Sequence, residues 1–438
     1  MDSPAGAAKH WAMSEFQDHP RRYALANELH ARPFPALEAP CHAVVLAIKR
    51  PEEAARRDRA ADRAHLLALL DRYGASHPQP DATHYFGDLG RHRLKWESHT
   101  EFVTYTVFTD GIWDRPFDPA SFEVFPDDWL AEAPGARITS AMIRVEELRD
   151  DTDITRDVAS WFVPESVAIS SVVDATAVIA ADFRIDAAGH MRFAVFVRPG
   201  TGSRRIGRIV QRLSEIETYK TMSMLGFARA QELSPVLGEL DSRLTALMGA
   251  MSADNDPADI ILRQLLDISA ELENLTARSS FRFGATGAYE ALVHQRIEVM
   301  REERHQGRQT FREFMTRRFE PAMRTVTSTE RRLQAMADRA MRAGELLRTR
   351  VDVARSAQNQ ELMKSMDQRA ALQLRLQKTV EGLSVVAISY YAVSLASYML
   401  APVAKGIGLD KLTLTALITP LIILAVWAMV HRIRKHME

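Results

Sequence analysis

The spacing of apolar and polar positions divides the chain into three regimes. Over residues 1–200, short apolar runs alternate with polar turns, the pattern of mixed α and β structure. Residues 41–48 (CHAVVLAI) read as a buried strand stopped by Lys49, Arg50 and Pro51. Proline suits the first turn of a helix, so a helix is expected from Pro51 to about Tyr73, ended by Gly74. Residues 91–97 and 102–108 read as paired strands around Ser98, His99 and Thr100, because Phe102, Val103, Tyr105, Val107 and Phe108 are β-branched or aromatic. Further strands are expected at 136–145 and 175–185. Residues 186–189 (DAAG) turn the latter into 191–197 as a hairpin.

Beyond Gly202 the period changes to that of a helix. Residues 204–251 carry Ile209, Leu213, Ile216 and Tyr219 at helical spacing. Residues 254–257 (DNDP) break this run, and the next helix carries Ile260, Ile261, Leu265, Ile268, Leu272 and Leu275. A bend is expected at 279–287. Between Tyr289 and Thr379 the one proline is Pro321, expected to kink or interrupt a long helix. Within it Leu333, Ala337, Ala340, Gly344, Leu347, Val351 and Ala354 follow the alternating three- and four-residue spacing of a coiled-coil or bundle seam.

The third regime is apolar throughout. Residues 382–404 and 412–430 contain no charged side chain, and each is long enough to cross a bilayer at about 1.5 Å per residue. The connection from Lys405 to Lys411 is too short for a helix, so the two segments form a hairpin. Arg369, Arg375 and Lys378 precede it and Arg432, Arg434 and Lys435 follow it, whereas the turn holds Lys405, Asp410 and Lys411. Positive flanks stay inside. Both termini and the large N-terminal part are therefore expected on the cytoplasmic side of the membrane. No apolar segment near Met1 reads as a signal peptide. The expected organisation is α+β: a mixed α/β domain at 1–200, a helical region at 201–288, a long helical or coiled-coil stalk at 289–381, a transmembrane hairpin at 382–431 and a basic tail at 432–438.

Composition changes the picture in two places. The single cysteine, Cys41, excludes an intrachain disulfide and a multi-cysteine metal site. Net charge is −1, but it is unevenly spread: residues 290–380 hold 19 basic and 12 acidic side chains, residues 381–438 carry +2, and residues 1–289 carry −10. The basic neck is either a solvated helix surface or a surface that meets anionic lipid or an acidic neighbouring subunit. The whole-chain charge gives no reason to expect nucleic acid as a partner.

No phosphate-binding loop, nucleophile elbow or zinc-protease motif is present, and no cofactor is expected. Gly202 and Gly207 beside Arg204, Arg205 and Arg208 suggest a structural turn or an anion-binding helix start. The densest polar set is Asn27, Glu28, His30 and Arg32, which either binds a ligand, metal or proton, or plugs the fold as a buried polar cluster. His77, His84, His92 and His99 lie near several carboxylates but match no zinc spacing. Glu302 and His305 stand three apart on an expected helix, half of a di-iron motif without its other half.

Residues 27–34, 95–105 and 211–219 together resemble a bacterial family of uncharacterised membrane-anchored proteins, a domain of unknown function. The resemblance runs from about residue 18 into the first apolar segment. It implies a membrane anchor and no activity. The layout also resembles CorA-type divalent-cation channels, which implies a homo-oligomer whose first span lines a pore, with a divalent cation as a partner besides the bilayer. Their Gly-Met-Asn signature is absent, because Ser397, Tyr398, Met399 and Leu400 stand there. Ser384, Ser389, Ser394 and Ser397 are candidate pore-lining residues, although their spacing scatters them around the helix and suits helix packing as well. The layout favours an oligomer that conducts or senses ions; the alternatives are a non-conducting anchor presenting a binding or scaffold domain and, third, an enzyme using Glu28, His30 and Arg32.

Overall fold

A computed structural model describes residues 18–28, 34–51, 57–148, 150–253, 257–408 and 410–437; for residues 24, 27, 28 and 434–437 it describes the backbone alone. The fold is α+β. The chain divides into two units, one formed by residues up to 248 with 265–341, the other by 249–264 with 342 onward.

The first unit is built on a sheet of nine strands. These are β1 (Cys41–Lys49), β2 (His84–Leu89), β3 (His92–Ser98), β4 (Phe102–Asp110), β5 (Ala136–Glu147), β6 (Ala168–Val172), β7 (Ala177–Ala181), β8 (Met191–Val197) and β9 (Glu303–Arg304). Their order is β2-β3-β4-β1-β5-β8-β7-β6-β9. All pairings are antiparallel except β5 with β8. The sheet has two related halves. In each, one strand (β1 or β5) is followed by a helix and then by a three-stranded meander whose last strand returns beside the first. The halves meet where β1 pairs with β5.

Alternation along the strands sends side chains to two cores. On one face Val44, Leu46 and Ile48 of β1 pack with Leu94 and Trp96 of β3 and Val103, Tyr105 and Val107 of β4. This face is covered by α2 (Arg59–Arg72), α3 (Asp127–Ala131), α4 (Asp151–Trp161) and a 3-10 turn at Pro119–Val124. The cover is pinned where the His65 ring stacks on Trp129 at 3.8 Å while Trp129 Nε1 donates to the His65 carbonyl. On the other face Ala43, Val45, Ile143, Val145, Phe193 and Val195 pack against Ile206, Ile209, Val210 and Leu213 of α5 (Ser203–Ala253) and Phe311 of α7 (Phe311–Arg318). Helix α6 (Ala258–Glu298) and the start of α8 (Glu320–Gly406) join α5 in a helical layer. Asp241 of α5 takes ion pairs from Arg332 and Arg339 of α8.

Several expected boundaries move. The second helix starts at Arg59, not Pro51, because Asp58 caps it by accepting from the amides of Ala60 and Ala61. The expected bend at 279–287 is continuous helix; Ser279 and Thr286 are both buried, and a Cβ on Gly226 of α5 would overlap Thr286, so the two helices pack closely there. The interruption falls at residues 299–310 instead. Near Pro321 the helix is interrupted as expected: α7 ends at Arg318, and Pro321 stands in the first turn of α8, where its missing N–H costs nothing. Glu302 and His305 consequently flank a two-residue strand and are not on a helix.

In the second unit, Arg350 Nη1 donates to the Met251 carbonyl. Of the seam expected along α8, Leu333, Ala340 and Leu347 are buried, Ala337, Gly344 and Val351 are partly covered and Ala354 is exposed, while Met336 and Ala343, outside the expected spacing, are buried instead. No residue from 352 to 384 is buried. After Gly406 a short turn with Gly408 at φ +73° leads into α9 (Lys411–Met437).

Candidate functional site

The first unit holds a polar network where α5 and α6 cross β3 and β4. Lys95 and Glu97 of β3 and Phe102, Thr104 and Thr106 of β4 point away from the core under α2, because each alternates with a residue buried there. Lys95 Nζ lies 3.2 Å from Glu97 Oε2, and both side chains are largely enclosed. Helix α5 brings Ser214, Glu215, Thr218 and Tyr219 to the opposite side of a cavity of about 20 Å³ that Glu97, His99, Thr104 and Thr106 also line. That volume suits one water molecule.

Three carboxylates anchor the network. Glu101, 1 % exposed, accepts from both terminal nitrogens of Arg282 and, at 3.0 Å, from the Tyr289 hydroxyl. Glu217 accepts from Thr139 at 3.0 Å and Thr221 at 3.0 Å and pairs with Lys220 at 2.7 Å. Glu215 accepts from Gln211 at 2.7 Å and pairs with Arg296 of α6. Aromatic rings fill the gaps: His99 stacks on Phe102 at 4.3 Å, and Tyr219 stacks on Tyr289 at 5.7 Å. Burial holds the Lys49 ammonium below its ordinary range, and burial and then Glu101 push the Tyr289 phenol up. Every carboxylate of the trio has a cation, so the network is internally compensated. What it does chemically is fix the docking of α5 and α6 on the sheet.

Of the residues singled out in the sequence, His30 and Arg32 lie outside the described residues, and the side chains of Asn27 and Glu28 are likewise outside them. The backbone of α1 (Arg22–Glu28) is helical. The chain leaving this motif is pinned at the beginnings of β3 and α5. Arg93 Nη1 donates to the Ala36 carbonyl at 2.7 Å, and the Leu37 amide donates to the Ser203 carbonyl at 3.1 Å. A Cβ on Gly207 would overlap the Pro35 carbonyl oxygen, so this glycine permits a close crossing of backbones. The segments 95–105 and 211–219 thus face each other across the small cavity, whereas the exit of 27–34 is held at Arg93, Ser203 and Gly207. A model of the family described as "Protein of unknown function (DUF3422)" matches residues 17–437. The chain belongs to the DUF3422 family. No curated protein and no solved structure matches it.

Elsewhere in this DUF3422 member, no group of three or more His, Cys, Asp or Glu among the described residues is placed to hold a metal ion. The four histidines are used separately: His77 bonds Asp71 at 2.6 Å, His92 bonds Thr109 at 2.6 Å, His99 bonds Thr104 at 3.3 Å, and His84 lies on the edge strand β2. Two helices are long and apolar enough to cross a membrane, in the segments 311–406 and 411–433. Between them Ser397 Oγ lies 3.4 Å from Thr415 Oγ1. Ser389 and Ser397 are buried in the hairpin, Ser394 is partly covered and Ser384 is exposed.

The sequence reading missed Arg282, which sat in the expected bend, and Tyr289, which stood at the start of the expected long helix. Glu101 lies inside the segment 95–105, but nothing local marks it as buried. The signal available was its position at the start of an otherwise apolar strand, where an enclosed carboxylate requires a cation.

Proposed function

We propose that this chain is a membrane-anchored homo-oligomer that presents its α/β domain on the cytoplasmic side of a bacterial inner membrane. The observation that carries the reading is the stretch 352–384 of α8, a helix with no buried residue that leads into the apolar hairpin. Leu362, Met366, Leu376, Val380 and Leu383 are each at least half exposed along it. At 3.5 residues per turn they occupy one stripe, with Arg369 and Gln373 at the remaining positions. An isolated helix does not keep such a stripe in water. Second copies, held parallel by their hairpins, cover it.

The second reading is that the oligomer conducts or senses ions. The order of α/β domain, helical layer, long helix and two spans favours it, and a divalent cation is the partner it implies. The burial of Ser389 and Ser397 inside one hairpin favours the non-conducting anchor, because it leaves Ser384 as the one fully exposed hydroxyl of the four. The test is the mass of the detergent-purified complex followed by divalent-cation flux in liposomes. An oligomer without flux supports the anchor, and an oligomer with saturable flux supports the channel. A monomer overturns both.

A further inference from the structure

A cavity of about 380 Å³ lies at the junction of the two half-sheets, under the 3-10 turn and α3. Its size falls within the ~300–1,000 Å³ of small-molecule sites. The floor is apolar: Leu46 and Ile48 of β1, Phe122 and Phe125 of the cap, and Leu130 of α3. This leaves a gap in the core of that face of the sheet.

The polar groups around it come from two walls. From the sheet come Arg137 of β5 and His190 of the β7–β8 turn; from the cap come Glu123 and Asp127. Arg137 has no hydrogen bond or ion pair among the described residues, and neither Glu123 nor Asp127 has an ion-pair partner there. The guanidinium lies over Gly189, where a Cβ would stand 2.8 Å from Arg137 Nη2, so the glycine keeps this position open. His190 is 5 % exposed and stacks on Phe122 at 3.7 Å. Ser140 Oγ donates its one proton to the Gly189 carbonyl at 3.2 Å, so at 2.9 Å it accepts from His190 Nδ1. That assignment leaves His190 Nε2 as a lone-pair acceptor with no partner among the described residues. Burial and then Arg137 hold the imidazole below its ordinary range, which keeps it neutral at pH 7.

A cation on one wall, carboxylates and an imidazole acceptor around the other polar positions, and an apolar floor call for a ligand with both charges and an apolar body. We infer that this cavity binds a free apolar α-amino acid, with Arg137 on the carboxylate, Glu123, Asp127 and His190 Nε2 on the ammonium, and Leu46, Ile48 and Phe125 against the side chain. A bidentate guanidinium–carboxylate pair supplies both orientation and affinity. The site is in the first unit and does not depend on oligomerisation or conduction.

The test is calorimetric titration of the full chain in detergent with L-leucine and L-phenylalanine, beside the half-molecules 4-methylpentanoate, 3-phenylpropionate, isoamylamine and phenethylamine. At least one amino acid is expected to bind saturably, with its acid and amine counterparts at least about tenfold weaker. Arg137→Ala is expected to weaken amino-acid binding by at least about tenfold. The double variant Glu123→Gln, Asp127→Asn is expected to weaken the amino acid while leaving the acid unchanged. All three side chains are exposed, so these variants fold, which a thermal melt checks. Absence of saturable binding by both amino acids up to about 10 mM overturns the inference. So does equal binding of the deaminated acid, or amino-acid binding unaffected by Arg137→Ala.

Discussion

Glu101 is the side chain on which most depends at the level of single residues. Its carboxylate is enclosed and is the acceptor for both Arg282 and Tyr289. Glu101→Ala leaves the guanidinium nearly buried without a counter-charge, a change that costs about 3–5 kcal/mol in comparable buried pairs. Chemical denaturation of the purified chain is expected to show that loss, and Arg282→Met combined with Glu101→Met to recover part of it. Glu302 acts in the opposite sense. Burial pushes its carboxyl up to about 7, against 4.5 for the ordinary group. Between those values the folded chain keeps a proton that the unfolded chain has lost, so stability falls as pH rises from about 4.5 to 7. Glu302→Gln removes that dependence. The variant is expected to match the parent near pH 4 and to exceed it by at most about 2–3 kcal/mol at pH 8, read from denaturation midpoints at the two pH values. Cys41 is 1 % exposed and its thiol is pushed up to about 12 by burial. Thiol reagents at pH 8 are therefore expected to leave the native chain unmodified and to react once after unfolding.

Among the elements, those with strong periodicity were legible in the sequence. Strand β1, the β3–β4 pair and the β7–β8 hairpin appear where apolar alternation and the 186–189 turn put them. Strands β2, β6 and β9 were not legible. Strand β2 carries Gly87 and Asp88 in a half-polar run, and β9 is a two-residue edge whose pairing with β6 comes from distant sequence. The second helix was placed too early because Pro51 was read as its start, whereas the side-chain cap of Asp58 decides the boundary. Of the candidate site, the segments 95–105 and 211–219 were visible as motifs. Their partners on α6 were not, because a helix of small and polar residues such as Ser279, Gly284 and Gly287 reads locally as a bend. Gly207 converts that understanding into a test: Gly207→Ala forces α5 away from the Pro35 carbonyl and is expected to cost about 1–3 kcal/mol in a denaturant melt. On the exposed stretch of α8, Leu376→Asp with Val380→Asp is expected to lower the mass of the detergent-purified complex without changing the thermal melt of the α/β domain.

For the molecule as a whole, the proposed orientation rests on charge. The basic residues flanking the hairpin outnumber those of its turn, so the turn is expected outside. Ile407→Cys is well suited to check this, since Ile407 is 69 % exposed and native Cys41 is enclosed. A membrane-impermeant maleimide is expected to label that variant in intact cells and to leave the parent unlabelled. Labelling only after lysis would reverse the assigned orientation.

Strand β9 has a bearing on the order in which the chain is made. It covers the β6 edge, together with the Ile169–Gln309 and Val173–Met300 backbone bonds, yet it leaves the ribosome more than a hundred residues after β8. Until α5 and α6 have been synthesised and have turned back, β6 presents an open edge of the kind that pairs with foreign strands. The nascent chain is therefore most vulnerable while those two helices are being translated, and the sheet is closed before the apolar hairpin is made.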